Sequence, residues 1–205
     1  MRELIVQLTE AVNELGTPTF FDWMPIILSV VTAATAIYIP VRIAKKQNQI
    51  AIFDKLYTAY VQLLLVKNFA GVIQGCCFTG DSTDVMKSCE LFSVHFEKDF
   101  GYKPDILNGQ NSIGTATAAL SKNETQAYMI PLLISEDTIQ KKECSEHIEK
   151  IYGSLYLLTT NVVLFNWEFA EETNELLKEF TANINTFFDL YADKIEDALL
   201  CARKA

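Results

Sequence analysis

Residues 23–41 read WMPIILSVVTAATAIYIPV, 19 residues between Asp22 and Arg42 without a charge. At 1.5 Å per helical residue such a run covers about 28 Å, the depth of a bilayer's hydrocarbon core, and it exceeds the length expected of a core helix in a soluble domain. We expect a transmembrane helix over 23–41. Phe20, Phe21 and Trp23 at one end and Tyr38 near the other place amphipathic rings at the headgroup level. The span also resolves a tension in the composition. The chain of 205 residues is 50% apolar and carries a net charge of −9, yet its mean hydropathy is +0.14. The span holds essentially all of that surplus, and the rest is close to neutral in hydropathy.

Charge sets the expected orientation. Residues 1–22 carry Arg2 against Glu3, Glu10, Glu14 and Asp22, whereas Arg42, Lys45 and Lys46 follow the span directly. Positive charge on the C-terminal side puts the bulk of the chain in the cytoplasm, N-terminus out, with the basic triplet at anionic lipid headgroups. An acidic start and a basic exit are the reverse of a cleaved signal peptide. Within 1–22, Leu4, Leu8 and Leu15 recur at helical spacing, which predicts a short external amphipathic segment. Pro25 is expected in the first helical turn, and Pro40 removes a hydrogen bond near the inner interface. Ser29 with Ala33, and Thr32 with Ala36, form two pairs of small residues four apart, the spacing at which spanning helices approach closely, so they are the candidate self-association surface.

Beyond the span, Ile43, Ile50, Tyr57 and Leu64 recur every seven residues, with Phe53 and Tyr60 three residues after the second and third. This predicts one long helix over 42–70 with an apolar seam. The seam serves either a coiled-coil dimer or, as we favour, packing against the chain's own later helices. A second helix is expected over 81–99, opened by Asp81, Ser82 and Thr83 as N-cap candidates. From 101 to 135 the pattern fails, with Pro104, Gly109, Gly114 and Pro131 among many Asn, Ser and Thr and only weak helix around Thr115–Leu120 and Gln126–Leu133, so an irregular excursion is expected there, a natural place for a binding surface. Helices over 137–163 and 167–203 follow. The first has Ile139, Ile148, Ile151, Leu155, Leu158 and Val162 on one face. The second has Leu177, Phe180, Ile184, Phe187, Tyr191, Ile195 and Leu199 in alternating steps of three and four. Residues 151–167 lack charge, but Thr159, Thr160, Asn161 and Asn166 mark a core helix better than a second span. No segment has strand periodicity, so the fold class is all-α: an N-terminal transmembrane helix, then a cytoplasmic antiparallel helical bundle over 42–205.

Chemistry is sparsely signalled. The five cysteines, Cys76, Cys77, Cys89, Cys144 and Cys201, are expected to be free thiols in a reducing cytoplasm. Cys144 and His147 share one helix turn, with Cys89 and His95 as remote completions, but a buried-thiol reading outweighs a zinc site. The run GQNSIG at 109–114 lacks the lysine of a phosphate loop and reads as turn chemistry. Glu168, Glu171, Glu172, Glu175 and Glu179 read as a solvated face near a helix start, not a carboxylate metal site. We expect no enzyme, no cofactor and no metal. Residues 47–205 hold 13 basic and 22 acidic groups, which is the whole net charge of the chain and lacks the basic face of a nucleic-acid binder. The expected partners are the membrane and either another protein or further copies of this chain.

The stretch IYIPVRIAKKQNQIAIFDKLYTAY, residues 37–60, resembles a juncture found in poorly characterised bacterial single-span membrane proteins. There the span leads into a Gln- and Ile-containing helix with a Phe-acid-basic-aromatic step, here Ile52-Phe53-Asp54-Lys55-Leu56-Tyr57. Leu56 stands where a basic residue is common. Some proteins of this look are associated with defence against phage. The resemblance implies a single-pass protein of the bacterial inner membrane that acts as an anchor, sensor or effector subunit through protein–protein contact, and it transfers no catalytic residue. The competing expectation is an effector whose small-residue span oligomerises and perturbs the membrane.

Overall fold

The computed structural model describes residues 20–78, 81–105, 109–164 and 170–204, and every regular element among them is helical. The order is α1 (Phe20–Ile73), α2 (Ser82–Phe100), α3 (Gly109–Ala127), α4 (Met129–Ile134), α5 (Thr138–Leu164) and α6 (Ala170–Lys204). The expected external segment, apart from Phe20, Phe21 and Asp22, lies outside the described residues, as do Phe165, Asn166, Trp167, Glu168 and Phe169. The chain divides into two compact units, residues 1–48 and 49–205.

In the first unit every side chain described from Met24 to Asn48 is exposed. α1 is the one described helix long and apolar enough to cross a membrane, and its most apolar window buries nothing within the protein. The helix already runs at Phe20, so Pro25 lies inside it and not in its first turn, and Pro40 is also inside. Each proline leaves one carbonyl without its usual donor four residues on. The Ser29 hydroxyl donates to the Pro25 carbonyl at 2.7 Å and Thr32 to Leu28 at 2.7 Å. These hydroxyls are satisfied within the helix, as an apolar solvent requires.

The second unit has one core, drawn from α1 through α6. Here the expected seam is displaced. Ile43, Ile50, Tyr57 and Leu64 are 51%, 52%, 53% and 36% exposed, while Leu56, Ala59, Leu63, Val66, Ala70 and Ile73 are buried. Both rows have helical spacing. The buried row wins because Phe69 beside it reaches an aromatic cluster, edge-on to Phe92 at 5.1 Å, Phe96 at 5.9 Å and Phe100 at 5.4 Å. Such pairs add to the burial of large rings. Phe53 and Tyr60 are half-buried. α2 starts where Asp81 caps the Thr83 N–H at 2.9 Å. It stops at Gly101, whose φ of 73° lets its N–H reach the Glu97 carbonyl.

From Gly109 to Ile134 the chain is helical and not the irregular excursion expected over 101–135, while the described residues 101–105 form no regular element. Ser112, Ala116, Leu120, Asn123 and Ala127 form the buried side of α3. Pro131 falls in the first turn of α4, where no intrahelical donor is needed. Gly109 opens α3 against α5: a side chain there would run into the carbonyl of Val163. The GQNSIG run is thus the start of a helix and a close-approach point. In α5, Ile148, Ile151, Tyr152, Leu155, Leu158 and Val162 are buried, but Ile139 is exposed and does not share their face. In the described part of 151–167, Ile151, Tyr152, Leu155, Leu158, Val162 and Val163 belong to the core, whereas Leu157 and Leu164 are exposed. α6 buries Leu177, Phe180, Ile184, Phe187, Tyr191 and Ile195 as its spacing requires.

Candidate functional site

The residues singled out in the sequence fall into two groups on α1. Ser29, Thr32, Ala33 and Ala36 are all exposed on the apolar stretch, followed by exposed Arg42, Lys45 and Lys46. No ion pair among the described residues involves that triplet, so its charge is available to a surface. Of the remaining group, Ile43 is exposed in the first unit, and in the second Ile50 and Tyr57 are exposed, with half-buried Phe53 stacked on Tyr57 at 5.8 Å between centroids. Beyond Tyr57 the core takes over. Tyr60 donates to Glu196 Oε1 at 3.1 Å, and Lys67 lies over the Phe188 ring at 4.3 Å. Burial, then Glu196, pushes the Tyr60 hydroxyl's pKa up.

One buried constellation had no clear signal in the sequence. Tyr152 donates to the Asn123 side-chain oxygen, and the Asn123 amide donates to Gln62, so α5, α3 and α1 meet at a single polar chain inside the core. Tyr156 adds a bond to Glu124 Oε2 at 2.9 Å, and its pKa is pushed up to about 12 by burial and then by that carboxylate. A raised phenol pKa makes these groups inert donors, suited to fixing helix register and not to proton transfer. The one sequence signal that leads to it is Asn123 standing in step with Ala116, Leu120 and Ala127.

The thiols separate by environment. Cys76, Cys89 and Cys144 are buried, and Cys77 and Cys201 are exposed. Burial raises Cys76 and Cys144 to about 12 and Cys89 to about 11. Protonated thiols of this kind are poor nucleophiles and poor metal ligands. The segment carrying Cys76 and Cys77 is tied down on both sides. The Ser88 hydroxyl accepts from the Cys77 N–H at 3.0 Å and donates to its carbonyl, and the Asn174 side chain accepts from the Phe78 N–H at 3.0 Å and donates to its carbonyl at 2.9 Å. A groove of about 550 Å³ beside Cys77, Asn174 and Lys178 is therefore lined by a committed amide. Another cleft of about 360 Å³ holds Glu143, Glu146, His147, Lys150 and Lys194, charges of both signs, with His147 edge-on to Tyr191. His147 and Cys144 do not converge on a ligand set. Among the described residues no three His, Cys, Asp or Glu side chains are placed to hold a metal. Glu171, Glu172, Glu175 and Glu179 lie exposed along the first turns of α6, where Glu175 pairs with Lys178.

No family model, characterised protein or solved structure matches this chain. The functional reading therefore rests on its own residues.

Proposed function

We propose that the protein is a single-pass protein of the bacterial inner membrane, N-terminus out, whose cytoplasmic helical bundle works through protein–protein contact as an anchor, sensor or effector subunit. One observation carries this reading. The uncharged stretch of α1 buries nothing within the protein, ends on Arg42, Lys45 and Lys46, and belongs to the same helix that later supplies Leu56, Leu63, Val66 and Phe69 to the core. An apolar surface of that length left bare in water is strongly unfavourable, and a bilayer removes the cost. The basic triplet then sits at anionic headgroups, where each charge contributes about 1 kcal/mol. The resemblance of residues 37–60 to proteins associated with phage defence gives the reading its biological direction.

The test is extraction and labelling. The full-length protein is expected to stay in the membrane pellet through alkaline carbonate washes and to come out with detergent. In intact cells, exposed Cys201 is expected to react with a membrane-permeant maleimide and to be spared by an impermeant one. Recovery in the soluble fraction, or labelling of Cys201 from outside, overturns the reading.

A further inference from the structure

We infer that Cys76 and Cys89 are a redox pair, two thiols that peroxide joins into a disulfide stapling the end of α1 to α2. Both lie within residues 49–205, so the pair stands apart from the membrane anchor. The segment after α1 sets its geometry. Residues 76, 77 and 78 are buried, exposed and buried in turn, the alternation of an extended stretch, so Cys76 turns inward where Cys77 turns out. Ser88 holds that stretch through the N–H and carbonyl of Cys77, and the Cys76 thiol donates to the Ser88 carbonyl at 3.5 Å. The next residue is Cys89. Standard covalent geometry puts its Cα about 2.8 Å from that carbonyl oxygen, so the Cys76 sulfur lies within about 6 Å of the Cys89 Cα. A disulfide between the two is then within reach of a small shift in the segment that carries Cys76. The thiols also feel each other: after burial, Cys89 is the next cause of the raised Cys76 pKa.

Access is one-sided. Cys76 is 7% exposed and lines the groove of about 550 Å³ beside Cys77, whereas Cys89 is 2% exposed. A small uncharged oxidant such as hydrogen peroxide therefore meets Cys76 first. It converts the thiol to a sulfenic acid and leaves as water; the Cys89 thiol then attacks that sulfur, its proton departs with the hydroxyl as a second water, and the S–S bond forms. Two thiols lose two electrons and two protons to one peroxide. Burial holds both thiols protonated, so the first step is slow and the pair stays reduced until oxidant is sustained. Cytoplasmic thiols reverse it by exchange. The consequence is mechanical. α2 brings Phe92, Phe96 and Phe100 onto Phe69 of α1, and a staple near its start fixes that junction.

The experiment exposes the full-length protein in detergent to hydrogen peroxide, alkylates the remaining thiols and identifies linked peptides by mass spectrometry. A Cys76–Cys89 linkage is expected at least about tenfold above any linkage to Cys144. Cys144 is the control because it is also buried, with its pKa pushed to the same value of about 12, yet it stands on α5. The linkage is expected to persist in protein carrying Cys77→Ser and Cys201→Ser, two exposed positions, and to raise the urea midpoint until dithiothreitol restores it. Cys89→Ala is expected to abolish both the linkage and the midpoint shift. The linkage is read on the unaltered chain and so does not depend on any variant folding. Cys76 and Cys89 both alkylated after Cys77 and Cys201 have been oxidised, Cys76 linked to Cys77 instead, or linkage that forms only in urea overturns the pair.

Discussion

Tyr152 is buried to completion, and its hydroxyl needs a partner that only Asn123 supplies among its described bonds. Removing the hydroxyl strands the Asn123 oxygen in the core. Tyr152→Phe is therefore expected to lower stability by about 1–3 kcal/mol in urea titrations, with the helical content of the native state unchanged. A loss below the error of the fit would mean that the buried chain contributes nothing. The thiols supply a second prediction at this scale. Ellman titration of the native protein is expected to find Cys77 and Cys201, and all five cysteines only after denaturation. Cys76, Cys89 and Cys144 hold their protons to about 12, 11 and 12 against an ordinary 9.0, because burial disfavours the thiolate. The fold thus retains protons that the unfolded chain gives up. Their contribution is complete below pH 9 and is lost as pH rises from there through the folded values, so the Tm is expected to fall above pH 9. A Tm that holds or rises there contradicts the assignment. Tyr152 was not visible as a core donor in the sequence, because it stands in a run of apolar residues and its partner stands in a run that reads as loop.

Helices are legible when their apolar residues are large. The spacing of Leu177, Phe180, Ile184 and Phe187 defines the buried face of α6 directly, since bulky side chains every three or four residues have only one place to go. α3 is the opposite case: its inward residues are Ser112, Ala116, Leu120, Asn123 and Ala127, mostly small or polar, so periodicity in hydropathy is faint. Its helix is imposed by packing, and Gly109 marks how closely α3 and α5 approach. Gly109→Ala is expected to cost about 1–3 kcal/mol, read as a shift of the urea midpoint, because the methyl group meets the Val163 backbone and the two helices must separate. Gly114, with nothing near its absent side chain, serves as the control, and Gly114→Ala is expected to be neutral or slightly stabilising. α1 carries a different lesson. Two apolar rows run along different sides of the same helix after the span, and the choice between them depends on where α2 and α6 place their aromatic rings, which local spacing does not encode.

The division into residues 1–48 and 49–205 has a direct consequence at the scale of the molecule, since every buried core residue belongs to the second unit. Deletion of residues 1–48 is expected to give a chain that is soluble without detergent and mainly helical by circular dichroism. In that background Phe69→Ala is expected to lose about 3–5 kcal/mol, because four aromatic rings surround it. A truncated chain that aggregates would place part of the core's support in the first unit. The all-helical class and the apolar span were legible in composition and period. The polar chain through Gln62, Asn123 and Tyr152 was not, because it depends on three helices meeting.

The bond between Tyr60 and Glu196 joins residues 136 apart in sequence, and the Phe69 ring also leans on Phe180. On the ribosome, the first half of the core is therefore finished long before the helix that completes it has been made. Local contacts form early, whereas closure waits for the last helix to emerge. Through that interval Leu56, Leu63, Val66 and Phe69 stay uncovered, and the nascent chain has to be kept from aggregating until α6 arrives.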